Sequence, residues 1–433
     1  MQNSKIVKTL FYIAITNVLI FCLCVSSSMA IKIGEKTKIH ADVAINTEYD
    51  SNIYLSPENE TDDTIFHLKP NLGFDFTGSS GSFFRTGYQA DLAAYSSKSD
   101  NNFQTHKPYL RFAVETPVGF YVRFNEFYKK TSDPYGSDTF YQLGTRTSRW
   151  ENDTNIALGF DQRFVGFELK YKNAIERYDE DLHEWQDLTE NIIYLSCWYN
   201  FTPKTAFLIE YRNINGEYDS QNDGAIVTTT NSDGNLADSG NTWSDMYSQD
   251  YTKNEFYVGL KFKPTKKLKG ALRVGFGKKE FDNNFDVNGE EYNDEQTWLV
   301  DTDIKFALSD KTKMDFAFLR SIEGTPTDEA KSYVKTKIAY TLKQYFTQKL
   351  MLELGLYWIN DDYRDETLKT DGSQRPNKYN NMYGIGSILR YNINKSLRTS
   401  IGYSHQSRNS SHTDYSYDEF DQDLIFLEIN SKF

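Results

Sequence analysis

Chemistry in this chain would have to come from charges and rings, because no catalytic constellation is visible. His40, His67, His106, His183, His405 and His412 are scattered without metal-ligand spacing. No glycine-rich phosphate loop follows a strand, and no serine, histidine and acid stand in a nucleophile order. Asp50, Asn52, Asp62 and Asp63 could offer hard oxygens to Ca²⁺, but their spacing fits no cation loop, and a solvated loop is the plainer reading. No enzyme, metal or cofactor is expected. What stands out is a set of basic residues, Arg85, Arg111, Arg123, Lys261, Arg273, Lys305, Arg390 and Arg398, each on the polar side of a stretch that alternates apolar and polar positions. Lys69, Arg163, Lys170, Arg212, Lys335 and Lys337 share that setting. A thinner set of acids faces them, Asp75, Asp91, Glu168, Glu210, Asp301, Asp303, Glu353 and Glu428, with the remaining acids displaced to loops. Fixed cations on a wet wall focus potential and favour anions. The alternative is that the charges pair across the lumen and only keep the wall wet and rigid.

Positions of this kind need an element that alternates its faces. In the segment 349–359, Leu350, Leu352, Leu354, Leu356 and Trp358 fall on one face, while Met351, Glu353, Gly355 and Tyr357 fall on the other, a period of two. The same period marks about eighteen stretches, from 40–49 and 64–77 through to 395–408 and 417–433. Each has the ten-odd residues that a tilted membrane strand requires. The joints alternate in length. Tight ones fall at 78–81, Pro117, 165–166, Pro203, 264–265, 309–310 and Asn394; long polar ones fall at 50–63, 133–148, 219–248, 361–377 and 406–416. Short turns on one rim and long loops on the other predict an all-β fold: an outer-membrane β-barrel of about 18 antiparallel strands with both termini periplasmic. Pro70, inside a predicted strand, gives no ladder donor, so a bulge is expected there. Tyr49, Tyr88, Tyr128 and Tyr171 are candidates for interfacial girdles. The Asn-, Asp- and Ser-rich segment 220–248 is a candidate constriction, a surface loop or a disordered stretch.

The solvent that these strands meet is set at the N-terminus. Lys5 and Lys8 precede an apolar run over 10–25, and Ser28 and Ala30 follow as small residues, so residues 1–30 read as a secretory signal peptide and 31–433 as the barrel. Cys22 and Cys24 fall in the signal, and Cys197 stands alone after it, so no internal disulfide is expected. The 31 Tyr, 30 Phe and 6 Trp exclude disorder despite a net charge of −13. Beyond residue 30 no apolar run approaches 18 residues, so no helix is expected to span a membrane. Hydrocarbon offers no partner to backbone N–H and C=O groups, so a spanning sheet must close on itself. Val43, Ile45, Thr47 and Tyr49, then Phe66, Leu68, Leu72, Phe74 and Phe76, are expected to face lipid. No separate plug precedes the first strand, so the lumen should be open to a solute unless a loop fills it. The chain finishes on Phe433, which resembles the terminal strand that the barrel-assembly machinery recognises, with Ser431 as its departure.

The first strands carry a further pattern. Residues 48–52 read EYDSN; Asp62 and Asp63 precede an apolar position; Leu68, Pro70 and Leu72 follow; and the strand over 84–95 contains GYQADLAAY. Together these resemble the putative β-barrel porin 2 family, most densely over residues 40–130. The resemblance implies a barrel in the outer membrane of a Gram-negative bacterium, found with exopolysaccharide and capsule export systems. It would serve as the conduit for a secreted polysaccharide, expected to be anionic from the basic lining, together with a periplasmic polysaccharide-export protein and an inner-membrane copolymerase. The residues alone leave two other classes open, a general or oligosaccharide-specific diffusion porin and a surface receptor or adhesion barrel. No nucleic-acid partner is expected.

Overall fold

The computed structural model describes residues 31–32, 34–132, 148–179, 187–218, 250–282, 294–324, 332–363, 378–411 and 419–432. Residues 1–30, read above as a signal peptide, the segment 220–248 and Phe433 lie outside the described residues. After a two-residue β1 (Ile31–Lys32), eighteen long strands follow: β2 (Thr37–Asp50), β3 (Asp63–Thr77), β4 (Phe83–Tyr95), β5 (Phe103–Glu115), β6 (Phe120–Thr131), β7 (Arg149–Asp161), β8 (Val165–Tyr178), β9 (Leu188–Thr202), β10 (Thr205–Tyr218), β11 (Tyr251–Phe262), β12 (Leu268–Phe281), β13 (Glu295–Ala307), β14 (Thr312–Gly324), β15 (Ser332–Tyr345), β16 (Leu350–Tyr363), β17 (Lys378–Asn392), β18 (Leu397–Ser410) and β19 (Phe420–Lys432). Each pairs antiparallel with its sequence neighbour, and β19 returns to β2 from Asp42↔Lys432 to Asp50↔Leu424, which closes the sheet. β1 takes positions 38 and 39 of β2, on the edge that β19 leaves free below Asp42.

Alternation decides the two faces. The cross-strand row Tyr211↔Phe256↔Phe276↔Trp298 points outward, and Phe256, Phe276 and Trp298 are each at least half exposed. The same holds for Leu356 beside Ile385. An aqueous protein buries such rings; here they form one contiguous belt around the cylinder. From Leu350 to Trp358 the belt spans eight residue steps, roughly 26 Å along the strand and about 20 Å along the axis at a tilt near 40°.

The belt ends toward the long loops in a repeated clamp. Tyr171 Oη and Asn173 Nδ2 both donate to Asn191 Oδ1 (2.6 and 3.0 Å). Tyr211 and Asn213 do the same to Asn254 (2.6 and 3.0 Å), and Trp358 and Asn360 to Asn381 (3.3 and 3.2 Å). Tyr403 donates to Asp423 at 2.8 Å, and His405 Nδ1 lies 3.0 Å from the same oxygen. Each clamp puts an aromatic body against the belt and satisfies its polar tip sideways, the requirement at a lipid–water boundary. Several residues of strand continue beyond this level to the long loops.

The register corrects one expectation. Pro70 causes no bulge: β3 keeps one register against β2 through Val43↔Pro70 and one register against β4 from Leu68↔Leu92 to Asn71↔Gln89. The missing donor is accommodated by leaving Lys69 and Pro70 unbridged on the β4 side. Pro108 repeats the device, bridged to Tyr88 but not to β6. An irregularity in the ladders occurs instead between Thr205 and Ala206.

Candidate functional site

The candidate site is the lumen, and its wall is the face opposite the belt. Eighteen strands about 4.8 Å apart and tilted near 40° close a backbone cylinder roughly 35 Å across. By register, all eight basic residues singled out above sit on the inner face, and all lie toward the short-turn rim. Among the described residues, six have a carboxylate within 4 Å. Arg85 lies 3.9 Å from Asp75, Arg123 lies 3.1 Å from Glu115, and Arg273 lies 3.3 Å from Asp301. Lys305 lies 3.9 Å from Asp303, Arg390 lies 3.2 Å from Glu353, and Arg398 lies 3.9 Å from Glu428. Arg111 and Lys261 rest on rings instead: the Arg111 guanidinium sits 4.3 Å over Phe127, and the Lys261 ammonium 4.3 Å over Trp198.

The inner wall is richer in acid than the alternation indicates. Glu151, Asp153, Glu176, Glu190, Glu255, Glu295 and Glu323 share the inward register. Within 4 Å, Glu151 and Glu176 flank the 2 % exposed Arg149. The densest network centres on Arg212, which reaches Glu210 at 2.6 Å, Asp301 at 3.0 Å and Glu255 at 3.6 Å, spanning β10 to β13. Arg273 joins through Glu210 and Asp301. Such pairing holds charged side chains flat against the wall and lowers the net field in the lumen.

Glycine lets rings lie flat as well. A Cβ on Gly166 would come within 1.9 Å of Trp198, its cross-strand partner, and one on Gly159 within 2.1 Å of Tyr121. Each ring therefore covers the wall where a side chain would otherwise stand, which keeps the lumen wide while filling the pleat.

One element leaves the wall. Pairing of β13 with β14 stops at Val300↔Arg320, so Glu295–Leu299 have no partner on β14, although β14 and β15 stay zipped to Gly324↔Ser332. The hairpin end leans inward over β13, β12 and β11. Ile322, fully buried, packs on Tyr257 and Leu299, and its carbonyl accepts from Lys253 Nζ at 2.9 Å. Opposite it on the hairpin, Val334 is also fully buried. At the fork Arg320 donates to Thr336 Oγ1 (2.7 Å) and Thr297 Oγ1 (3.2 Å), with its guanidinium 4.6 Å over Trp298. The β14–β15 hairpin thus narrows the lumen. The 220–248 segment considered for that role lies outside the described residues.

The Asp50–Asp63 cluster is an organiser of the first loop. Asn52, fully buried, accepts from Ser56 N at 2.9 Å and donates to Ser56 O at 2.8 Å and Asp421 O at 3.0 Å. Asp50 accepts from Asn52 N at 2.9 Å and from Gln422 Nε2 at 2.8 Å. Asp63 accepts from Thr64, Ser97 and Lys98 backbone N–H groups at 2.7 to 3.1 Å. These carboxylates are occupied in tying β2 to β19 and to the neighbouring loop. Among the described residues no group of three or more His, Cys, Asp or Glu side chains could hold a metal ion.

A closed, antiparallel, apolar-belted cylinder with a charged lumen defines a β-barrel of the porin type. Residues 31–433 match the family described as putative beta-barrel porin 2, and the chain belongs to that family. No curated protein sequence matches it. Solved barrels resemble it at low identity. The siderophore receptor PirA from Pseudomonas aeruginosa aligns at 8 % identity and a TM-score of 0.44, over 91 % of this chain and 80 % of its own. The outer membrane protein OpdK from Pseudomonas aeruginosa aligns at 9 % and 0.45, over 91 % and 99 %. OccAB4 from Acinetobacter baumannii aligns at 10 % and 0.42, over 93 % and 100 %.

Proposed function

We propose that the barrel sits in the outer membrane of a Gram-negative bacterium and conducts an exopolysaccharide or capsular polysaccharide out of the cell. The observation that carries this reading is a closed lumen walled by flattened rings and paired charges in a chain of the putative β-barrel porin 2 family. A polymer sliding through needs a wide wall with many weak contacts and no deep trap, and charges already satisfied by neighbours supply that. The short-turn rim faces the periplasm in this reading, where a polysaccharide-export protein linked to an inner-membrane copolymerase delivers the chain. The barrel-assembly machinery inserts the protein through its last strand. The test is a clean deletion scored for polymer at the surface against polymer retained in the periplasm. Retention is expected. Normal surface polymer together with slower growth on an oligosaccharide would replace export by a diffusion porin.

A further inference from the structure

We infer that the short-turn mouth carries a binding site for carboxylate-bearing saccharide, a cavity of about 840 Å³ bounded by the ends of β7 to β13. The inference rests on the export reading and names the chemistry of what enters. Arg163, Lys204, Lys261, Lys263, Lys269 and Lys305 line the cavity against only Asp161 and Asp303. Four more cations than carboxylates gather there in a chain whose net charge is −13.

The few acids present do not neutralise the cations. Asp161 accepts the indole N–H of Trp198 at 3.2 Å, and Asp303 pairs with Lys305 alone, at 3.9 Å, so most of the cavity's cations are left over. Among the described residues Lys263 and Lys269 make no ion pair. This differs from the wall above, where Arg212 and Arg273 are enclosed by Glu210, Glu255 and Asp301.

The site is also built rather than a loose rim of lysines. Trp198 lies flat because its neighbour is Gly166, and the ring holds the Lys261 ammonium at 4.3 Å. Fixing a lysine in this way removes much of the rotamer entropy that weakens exposed ion pairs. The volume falls within the range of small-ligand sites and leaves room for a few sugar units. Carboxylates spaced along an acidic saccharide can each meet one ammonium, whereas a neutral saccharide finds no ring face free on Trp198.

The test is calorimetric titration of the full barrel, folded in a neutral detergent, with tri-galacturonate. Maltotriose and inorganic phosphate at matched ionic strength are the controls. The site predicts binding of tri-galacturonate at least tenfold tighter than of either control. It also predicts a tenfold or greater loss in the triple variant Lys261→Gln, Lys269→Gln, Lys305→Gln, and no loss in Lys349→Gln, an exposed turn lysine that does not line the cavity. Retention of heat-modifiable migration on gels verifies that each variant is folded. Equal binding of maltotriose, displacement by phosphate at matched ionic strength, or undiminished binding by the triple variant would overturn the site. Periplasmic retention of polymer in the deletion strain without tri-galacturonate binding would remove this site and leave export standing. Binding in a barrel whose deletion leaves surface polymer normal would remove export and leave the site.

Discussion

Replacing Ile322 and Val334 together by asparagine should release the β14–β15 hairpin from the inner wall. Both side chains are fully buried and directly opposed on the hairpin. Each loses about 2 kcal/mol of apolar burial, so the docked state weakens by about 4 kcal/mol, a factor near 10³ in its population. Of the ties that remain, the Lys253 ammonium to the Ile322 carbonyl is worth about 2 kcal/mol and does not compensate, and Arg320 holds only the fork. The consequence for the pore follows from areas. A cylinder roughly 35 Å across, lined by side chains about 6 Å deep, leaves an opening of about 400 Å², of which a two-stranded ribbon fills about 100 Å². Single-channel conductance in planar bilayers should therefore rise about 1.3-fold, with wider fluctuations. The conservative variant Ile322→Val should behave as the parent. A folded double asparagine variant with unchanged conductance would refute the docking of the hairpin as the constriction.

Other consequences are equally open to measurement. Asn52→Ala removes three hydrogen bonds inside the barrel closure and strands the Asp421 carbonyl, so it should cost about 2 to 3 kcal/mol and lower the temperature of the gel-mobility transition; an unshifted transition would count against the loop lock. Because six of the eight inner-wall cations, Arg111 and Lys261 excepted, have a carboxylate within 4 Å, the reversal potential in a salt gradient should show only weak anion preference. Neutralising Arg111 and Lys261, which rest on rings, should shift that potential more than removing Arg123 with its partner Glu115; an equal or larger shift from the Arg123–Glu115 pair would contradict the assignment.

Much of the wall was legible because period two is a local property: the outward set Leu350 to Trp358 and the inward set Arg85 to Arg398 need only the pleat. What depended on three strands meeting was not legible. Arg212 finds Asp301 from three strands away, and no spacing in the chain encodes that distance. Inner acids such as Glu255 and Glu295 lie in the same alternating stretches as Lys261 and Lys305 and on the same face, so the pleat already placed them on the wall, but they were passed over. The bulge at Pro70 failed because a ladder can leave one side unbridged without shifting register. Two signals did exist. Ile192, Ile214 and Leu299 interrupt the polar face, and buried apolar residues on a wet wall imply a cover: Ile322 of the leaning hairpin for Leu299, and the Tyr251 ring for Ile192 and Ile214. Tyr171-Lys172-Asn173, Tyr211-Arg212-Asn213 and Trp358-Ile359-Asn360 repeat an aromatic-x-Asn pattern that marks the boundary clamps.

Cys197 offers the most direct test of the whole account. It is the only cysteine from residue 31 onward, is exposed, and sits on the outer face between Phe167 and Ile209. A nitroxide attached there in the bilayer-reconstituted barrel should relax with oxygen dissolved in the acyl chains and ignore a water-soluble nickel chelate. One attached at Lys170→Cys in a Cys197→Ser background should do the reverse. A label on Cys197 that meets the chelate, or is shielded from both, would mean that this face packs against protein or water and that the closed lipid-facing cylinder is wrong.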